Sequence, residues 1–285
     1  MFTRFLTRAL AAALVAFALP AAAAAGKPGP AGLKLYAMDC GRGTYPNAEA
    51  FADDGAYKGV AKELVVPCYL IRHPKGDLIW DTGVPQTIAD LPDGKGPGGI
   101  VVARRLTDQL RQLGLKPADI RYLSVSHSHF DHIGNAGLFA SATWIVDADE
   151  RAYAFRPSQR ANLAEFARYS ALETAKTVLI EGEASYDVFG DGSVIIIQAP
   201  GHTPGHTVLV VRLRKAGPIL LTGDMWHIAE SRAARRVPRF NTDRAQTLRS
   251  MDLVEKIAAD TGARVVRQHV PEDFTSLPKF PAALD

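Results

Sequence analysis

Short apolar runs, separated by glycine- and proline-rich punctuation, dominate the chain, and their length predicts strands more often than helices. A strand is expected over 33–38, followed by a loop carrying Gly41, Gly43, Pro46 and Gly55. Residues 67–73 and 78–80 are two further β-rich runs around Pro74-Lys75-Gly76-Asp77, a hairpin signal. The stretch 93–99 reads as a glycine-rich loop. Beyond it Val102, Leu106, Leu110 and Leu113 recur at helical spacing, and Gly114 stands where the helix would stop.

A strand over 120–125 leads directly into a histidine cluster, and another follows over 143–146. Positions 147–176 read as mostly helical, broken near Pro157. Strands return at 178–180, 186–189 and 194–198, the last two joined across Gly190-Asp191-Gly192. A hairpin of 208–213 with 219–222 turns around Lys215-Ala216-Gly217. A helix over 243–261 precedes a last strand at 264–266. Two successive sets of strands, each followed by helices, predict an α+β fold in which helices cover a β-sandwich.

The first 25 residues follow a different rule. Arg4 and Arg8 precede an apolar run over 9–19, and Pro20 with alanines at 21–25 completes the three-part pattern of a secretory signal. Residues 1–25 are therefore expected to be cleaved, leaving 26–285 as one domain, secreted or periplasmic. No other stretch is apolar enough to cross a bilayer, so no stable membrane anchor is expected after cleavage. Loss of Arg4 and Arg8 takes the formal net charge from +3 to +1. So small a charge offers no electrostatic case for nucleic acid. Cys40 and Cys68 either pair, as export permits, or remain buried thiols. No heptad or long exposed apolar helix points to a partner chain, and the oligomeric state stays open.

The eight histidines are unevenly placed. His127, His129 and His132 share His127-Ser128-His129-Phe130-Asp131-His132, while His202 and His206 share Gly201-His202-Thr203-Pro204-Gly205-His206. His227 and His269 also follow strand ends, and only His73 looks unrelated. Such loops can be aimed at one point by a rigid sheet. On an extended or turning segment, residues two apart face the same way, so His127 and His129 can grip one ion together. Asp131 and His132 begin the next turn and can reach a second ion. Imidazole and carboxylate suit zinc, and without thiolate they also accept iron, cobalt or manganese. Two divalent ions about 3.5–4 Å apart can share a hydroxide and clamp an oxygen-centred displacement. The pattern predicts an enzyme, a hydrolase dependent on two metal ions.

With these residues in place, the chain resembles the metallo-β-lactamase superfamily. The likeness rests on Asp81-Thr82-Gly83 after an early strand, the hexapeptide, Gly201-His202-Thr203, Thr222-Gly223-Asp224 and the terminal His269. It covers nearly all of residues 26–285 and implies a single αββα sandwich with the metals at one edge. Within that superfamily the chain is most similar to the N-acyl-homoserine lactonases. Leu35-Tyr36, Cys40-Gly41-Arg42, Cys68-Tyr69-Leu70 and the interval of 22 positions from His202 to Asp224 carry that likeness. The resemblance implies that His127, His129 and His202 hold one metal, that Asp131, His132 and His269 hold the other, and that Asp224 bridges them. Asp81 is implied as a buried supporting acid and His206 as a hydrogen-bonded histidine outside the ligand set. The implied reaction is opening of a lactone ring, N-acyl-homoserine lactones foremost (quorum quenching), with Asp131 passing a proton to the departing ring oxygen.

Two positions depart from the lactonase pattern. The lactonases place a tyrosine three residues after the bridging aspartate, where it hydrogen-bonds the substrate. Here that position is His227, which either takes over the role or is a surface histidine at a strand end. The lactonases also carry phenylalanines after the Asp-Thr-Gly segment that line an acyl pocket, whereas 84–99 has no aromatic residue. Apolar contact is then expected from elsewhere, with Met38, Phe51, Phe130 and Trp226 as candidates. Hydrolysis of another ester, thioester or amide, β-lactams included, is the alternative reaction. A non-catalytic metal-binding protein of the same fold is the alternative class.

Overall fold

A computed structural model describes residues 27–182 and 185–285; the leader read at 1–25 lies outside the described residues. The first sheet holds β1 (Lys34–Tyr45), β2 (Lys62–His73), β3 (Gly76–Trp80), β4 (Tyr122–Ser124), β5 (Thr143–Asp147) and β6 (Thr177–Ile180), in that order. Its first three strands pair antiparallel and the rest parallel. The second sheet holds β7 (Ser185–Asp187), β8 (Val194–Gln198), β9 (Thr207–Leu213), β10 (Gly217–Leu221) and β11 (Arg264–Val266). All of its pairs are antiparallel except β10 with β11. Helices α1 (Leu106–Gln112), α2 (Phe130–Ile133), α3 (Ala148–Ala154), α4 (Pro157–Ala161) and α5 (Leu163–Phe166) connect strands of the first sheet. Helices α6 (Ala229–Ala234) and α7 (Arg244–Thr261) separate β10 from β11, and α8 (Pro271–Thr275) follows.

Alternation along the strands builds the layers. Val194 and Ile196 of β8 pack with Tyr69, Trp80, Ile145, Leu209 and Leu221 in the core between the sheets. Ile195 and Ile197, one residue out of phase, pack instead with Val208, Leu220 and the Met251, Val254 and Ile257 face of α7. The first sheet does the same, giving Leu70, Ile79 and Trp144 to a third cluster under Leu106 and Leu110 of α1. Period-two side chains that are apolar on both faces require a cover on each side, and the result is αββα. Each fully buried Leu or Ile contributes roughly 1.5–3 kcal/mol to holding the layers together.

Two expectations are corrected. The first strand runs to Tyr45, through Gly41 and Gly43, and its partner begins at Lys62 before Pro67. A bulge between Asp39 and Arg42 lies opposite Pro67, where the missing N–H would break the ladder. The Gln109 side chain of α1 supplies the lost pairing, accepting from Asp39 N at 3.1 Å and donating to Asp39 O at 2.7 Å. The helix expected from Val102 begins only at Leu106. Val102 is buried against Val66 and Val84 beside the Val101–Arg42 bridge, so its apolarity serves a different surface.

Cys40 and Cys68 are joined in a disulfide that links β1 to β2, with Cα atoms 5.7 Å apart. Of the two alternatives open in the sequence, the structure contains the bridge. Closing a loop with a sequence separation of 28 typically stabilises a fold by about 2–4 kcal/mol. Gly83 packs on the bridge: with φ +72, any Cβ there would stand 2.3 Å from Cys40 Cβ.

Candidate metal centre

One edge of the sandwich collects the ends of five strands. Asp81 follows β3, the hexapeptide follows β4, His202 and His206 lie between β8 and β9, Asp224 and His227 follow β10, and His269 follows β11. Seven side chains named from the sequence meet there: His127, His129, Asp131, His132, His202, Asp224 and His269. His127 Nε2 and His202 Nε2 lie 2.9 and 3.1 Å from His129 Nδ1, so three imidazole nitrogens converge. Asp224 Oδ2 faces this group, 3.4 Å from His127 Nε2 and 3.3 Å from His202 Nε2. Its other oxygen turns away: Oδ1 lies 3.2 Å from His132 Nε2 and 2.9 Å from His269 Nε2. Asp131 joins this second group, with Oδ2 3.6 Å from His269 Nε2 and Oδ1 3.8 Å from His132 Nε2.

The outer nitrogens are committed elsewhere. His269 Nδ1 donates to Val65 O at 2.8 Å, which leaves Nε2 as a lone pair aimed inward. His132 Nδ1 lies 3.0 Å from Asp81 Oδ2, His127 Nδ1 lies 3.1 Å from Ser126 Oγ, and Ser126 Oγ lies 3.0 Å from the same Asp81 oxygen. His202 Nδ1 reaches Asn241 Oδ1 at 3.3 Å. Asp81 is fully buried at φ +54, a left-handed backbone for a non-glycine residue, and its Oδ1 accepts from Ser126 N at 2.6 Å. Local strain of this kind persists where surrounding bonds over-determine it. Asp81 thus orients two imidazoles and contacts neither group of inward atoms.

These donors fit two divalent cations. His132 Nε2, His227 Nε2 and Asp224 Oδ1 are buried without a hydrogen-bond partner, and His127 Nε2 and His202 Nε2 both crowd His129 Nδ1 beside Asp224 Oδ2. A cation in each group relieves that crowding and partners His132 Nε2 and Asp224 Oδ1, and an all-imidazole and carboxylate set suits zinc and its neighbours. The electrostatics divide the two groups: burial opposes a charge on His132 and His269, yet Asp224 and neighbouring aspartates hold both above the usual histidine range. Burial and neighbouring imidazoles hold His127 and His129 well below the usual histidine range, in the neutral form a ligand needs. Burial opposes ionisation of Asp224, but His269, His132, His227 and His127 outweigh it and hold the carboxyl well below its usual range.

Two histidines differ from the rest. His206 donates from Nδ1 to Ala199 O at 3.1 Å and accepts the Asp224 N–H on Nε2 at 3.0 Å, so neither nitrogen is free for an ion. Burial pushes it down to about 3. Gly223 makes that contact possible: at φ +49, a Cβ there would stand 2.6 Å from His206 Nε2. His227 is buried, which removes the surface-histidine reading, and its Nε2 stands 3.0 Å from Asp224 Oδ2. Burial lowers it to about 4, with Asp224 pulling the other way.

Glu150 of α3 carries no sequence signal for this site, yet it ties two of its loops together. It is fully buried, and its Oε1 accepts from Ser128 N and Oγ at 2.7 and 2.6 Å. Its Oε2 accepts from Thr203 Oγ1 and Gly205 N at 2.6 and 3.2 Å. A cavity of about 370 Å³ opens onto the centre, lined by Tyr45, Phe51, Leu64, Val66, Phe130 and Phe240 among others. Phe51 and Phe130 are therefore wall residues as expected. Met38 and Trp226 are not, being buried in the helix-facing cores. Tyr45, Leu64, Val66 and Phe240 were not read from the sequence, since they sit in strand ends and loops without periodicity.

The sequence profile of the metallo-beta-lactamase superfamily matches residues 61–269. An N-acyl homoserine lactonase, AttM of Azorhizobium caulinodans, is 35% identical over 237 residues, covering 80% of this chain and 90% of that protein. An N-acyl homoserine lactonase of a Bacillus species is 28% identical over 256 residues, covering 87% of this chain and 97% of the relative. A solved N-acyl homoserine lactone hydrolase, with N-hexanoyl-L-homoserine bound at its catalytic metal centre, superposes with a TM-score of 0.73 at 26% identity. It covers 89% of this chain and 99% of its own.

Proposed function

The chain belongs to the metallo-beta-lactamase superfamily, a metal-dependent hydrolase by that membership, and we propose that it is an exported lactonase that opens N-acyl-homoserine lactones. The observation that carries the reading is the division of Asp224, one oxygen toward His127 and His202 and the other toward His132 and His269. A carboxylate so placed can bridge two ions. His127, His129 and His202 would hold the first, and Asp131, His132 and His269 the second. Two ions bound there lower the pKa of water and polarise an ester carbonyl.

The chain's own residues supply the rest. Asp131 is the only partly exposed carboxylate of the seven, at 16% side-chain exposure, and it lines the cavity. It takes the proton released as the nucleophile attacks and returns it to the ring oxygen as the acyl–oxygen bond breaks, leaving a hydroxy acid. Phe51, Leu64, Val66 and Phe240 give the cavity the apolar wall that an acyl chain requires. His227 lines the same cavity, its Nε2 buried 3.0 Å from Asp224 Oδ2.

The test is turnover by the purified protein on a panel of acyl-homoserine lactones, simple aliphatic lactones and a β-lactam, with bound metal measured in parallel. Lactone hydrolysis with two ions per chain is expected. Turnover confined to another ester or amide would replace the reaction, and substantially less than one ion per chain would defeat the hydrolase mechanism. Export is supported by the pattern at residues 1–25 and by the Cys40–Cys68 bridge, which suits an oxidising compartment. Sequencing the N-terminus of the mature protein from a periplasmic fraction tests it, and an intact Met1 in the cytoplasm would refute it.

A further inference from the structure

Tyr45 ends β1 on the same face as Gly43 and lines the cavity with Asp131, Asp224, His227 and His269. Its ring meets Phe51 edge to face, with centroids 5.0 Å apart, and Phe51 lies 5.4 Å from His227. The ring is folded back along its own strand. A Cβ at Gly43 would stand 3.0 Å from Tyr45 Cε2 and 3.4 Å from its Cζ and hydroxyl oxygen. The bare backbone of Gly43 is therefore the floor on which the phenol rests, and Phe51 is the side wall. Nothing else in the cavity lining offers a neutral hydroxyl: the remaining polar side chains are Arg42, Asn47 and the histidines and aspartates of the centre.

We propose that the Tyr45 hydroxyl donates a hydrogen bond to the substrate's carbonyl oxygen as it becomes an oxyanion, with Gly43 and Phe51 setting its pose. The inference rests on the lactonase reading above. A preorganised donor aimed at developing charge acts on the transition state more than on the bound ester. Tyr45 is suited to donating and unsuited to accepting a proton. Burial raises its pKa above the ordinary phenol value of about 10, so the phenol keeps its proton between pH 6 and 9. No proton leaves Tyr45 in the cycle; the nucleophile's proton travels to the ring oxygen through Asp131.

The experiment compares wild type, Tyr45→Phe, Gly43→Ala and the double variant on one acyl-homoserine lactone between pH 6 and 9. Metal content and calorimetric affinity for a cyclic phosphonate analogue of the tetrahedral species are measured alongside. Tyr45→Phe should lower kcat by about a hundredfold to a thousandfold, the scale of one lost oxyanion donor, with KM nearly unchanged. It should keep two ions per chain, leave the shape of the pH profile intact and weaken the analogue by a comparable factor. Gly43→Ala should lower kcat alone but add little to Tyr45→Phe, because both act through one ring. A Tyr45→Phe enzyme within twofold of wild type, or one whose activity loss follows loss of metal, overturns the inference. Wild type inert on every lactone overturns the lactonase reading and this inference together, whereas equal turnover by wild type and Tyr45→Phe overturns this inference alone.

Discussion

Two histidine–aspartate pairs, both closed at 3.0 Å, stand at opposite ends of the first sheet. His73 lies at the turn into β3 and Asp191 in the turn between β7 and β8, while Asp81 follows β3 and His132 lies beyond the end of β4. The pairs are alike in distance and unlike in what surrounds the second nitrogen. His73 Nδ1 accepts Lys75 N–H at 3.0 Å, and its ring stacks on Phe189 with centroids 3.9 Å apart. Both nitrogens are used, so the pair clasps two turns and has no capacity left for a ligand. His132 commits Nδ1 to Asp81 and leaves Nε2 buried, unpartnered and aimed at Asp224. The lesson is that a buried His–Asp pair marks chemistry only when the far nitrogen remains to be satisfied.

The strongest way to break that contrast is to remove what His132 faces. Asp224→Ala should lose both ions and with them all measurable turnover, as read by metal analysis and a lactone assay. Retention of two ions would show that the carboxylate does not bridge. Next in size, Asp81→Asn keeps a residue tolerant of φ +54 but sets an amide N–H or a weaker acceptor against His132. Metal affinity should fall by about 10- to 100-fold in a chelator competition. The matched change Asp191→Asn should leave metal affinity unaltered and cost at most about 1 kcal/mol of stability. Equal effects from the two variants would erase the distinction.

His206 sharpens the comparison, because it sits beside the centre yet has both nitrogens occupied, as His73 does. His206→Ala should retain both ions while losing about 1–3 kcal/mol in a denaturant titration, since Asp224 N–H is left buried without an acceptor. Metal loss would mean that proximity, not nitrogen accounting, decides. The smallest effect concerns pH. Burial lowers the pKa of His73 below 6.5, with Asp191 opposing. A base depressed by folding contributes fully above its unfolded pKa of about 6.5, and that contribution is lost as pH falls through the folded value. His73→Gln should therefore be less stable than wild type at pH 8, and the gap in melting temperature should narrow below about pH 6.5. A constant gap would place the titration elsewhere.

The metal-facing residues were legible because they are written in short range. One hexapeptide and a few strand-end residues carry the set, and strands too short to be anything else precede them. His206 and Asp81 could be separated from the ligand set only through the resemblance, and the structure gives the physical cause in their hydrogen-bond partners. What stayed hidden depends on long-range packing. Glu150 stands three residues after Asp147, whose side chain caps α3, a spacing that reads as an ordinary capping box. Its carboxylate instead turns to Ser128 and Thr203, from loops 22 and 53 positions away. Gly41 and Gly43 look like loop punctuation, but β1 passes through them because α1 lends the Gln109 amide to the bulge. The wall of Tyr45, Leu64, Val66 and Phe240 follows from that extension and from loop placement, neither of which has a period to read.

Each of the two proposed ion positions draws on both sheets. His127 and His129 come from the first and His202 from the second; Asp131 and His132 come from the first and His269 from the second; Asp224, also from the second, would touch both ions. Among these contributors His269 is already stitched across, its O accepting from Val65 N at 3.2 Å and its Nδ1 donating back to Val65 O. Ions seated there would act as rivets along one seam, beside the apolar core and the hydrogen bonds that already cross it from Glu150 to Thr203 and from His73 to Asp191. Chelation should then do more than silence the enzyme: it should loosen that seam, speed amide exchange in the strand-end loops and hasten proteolysis there, while the riveted form resists both.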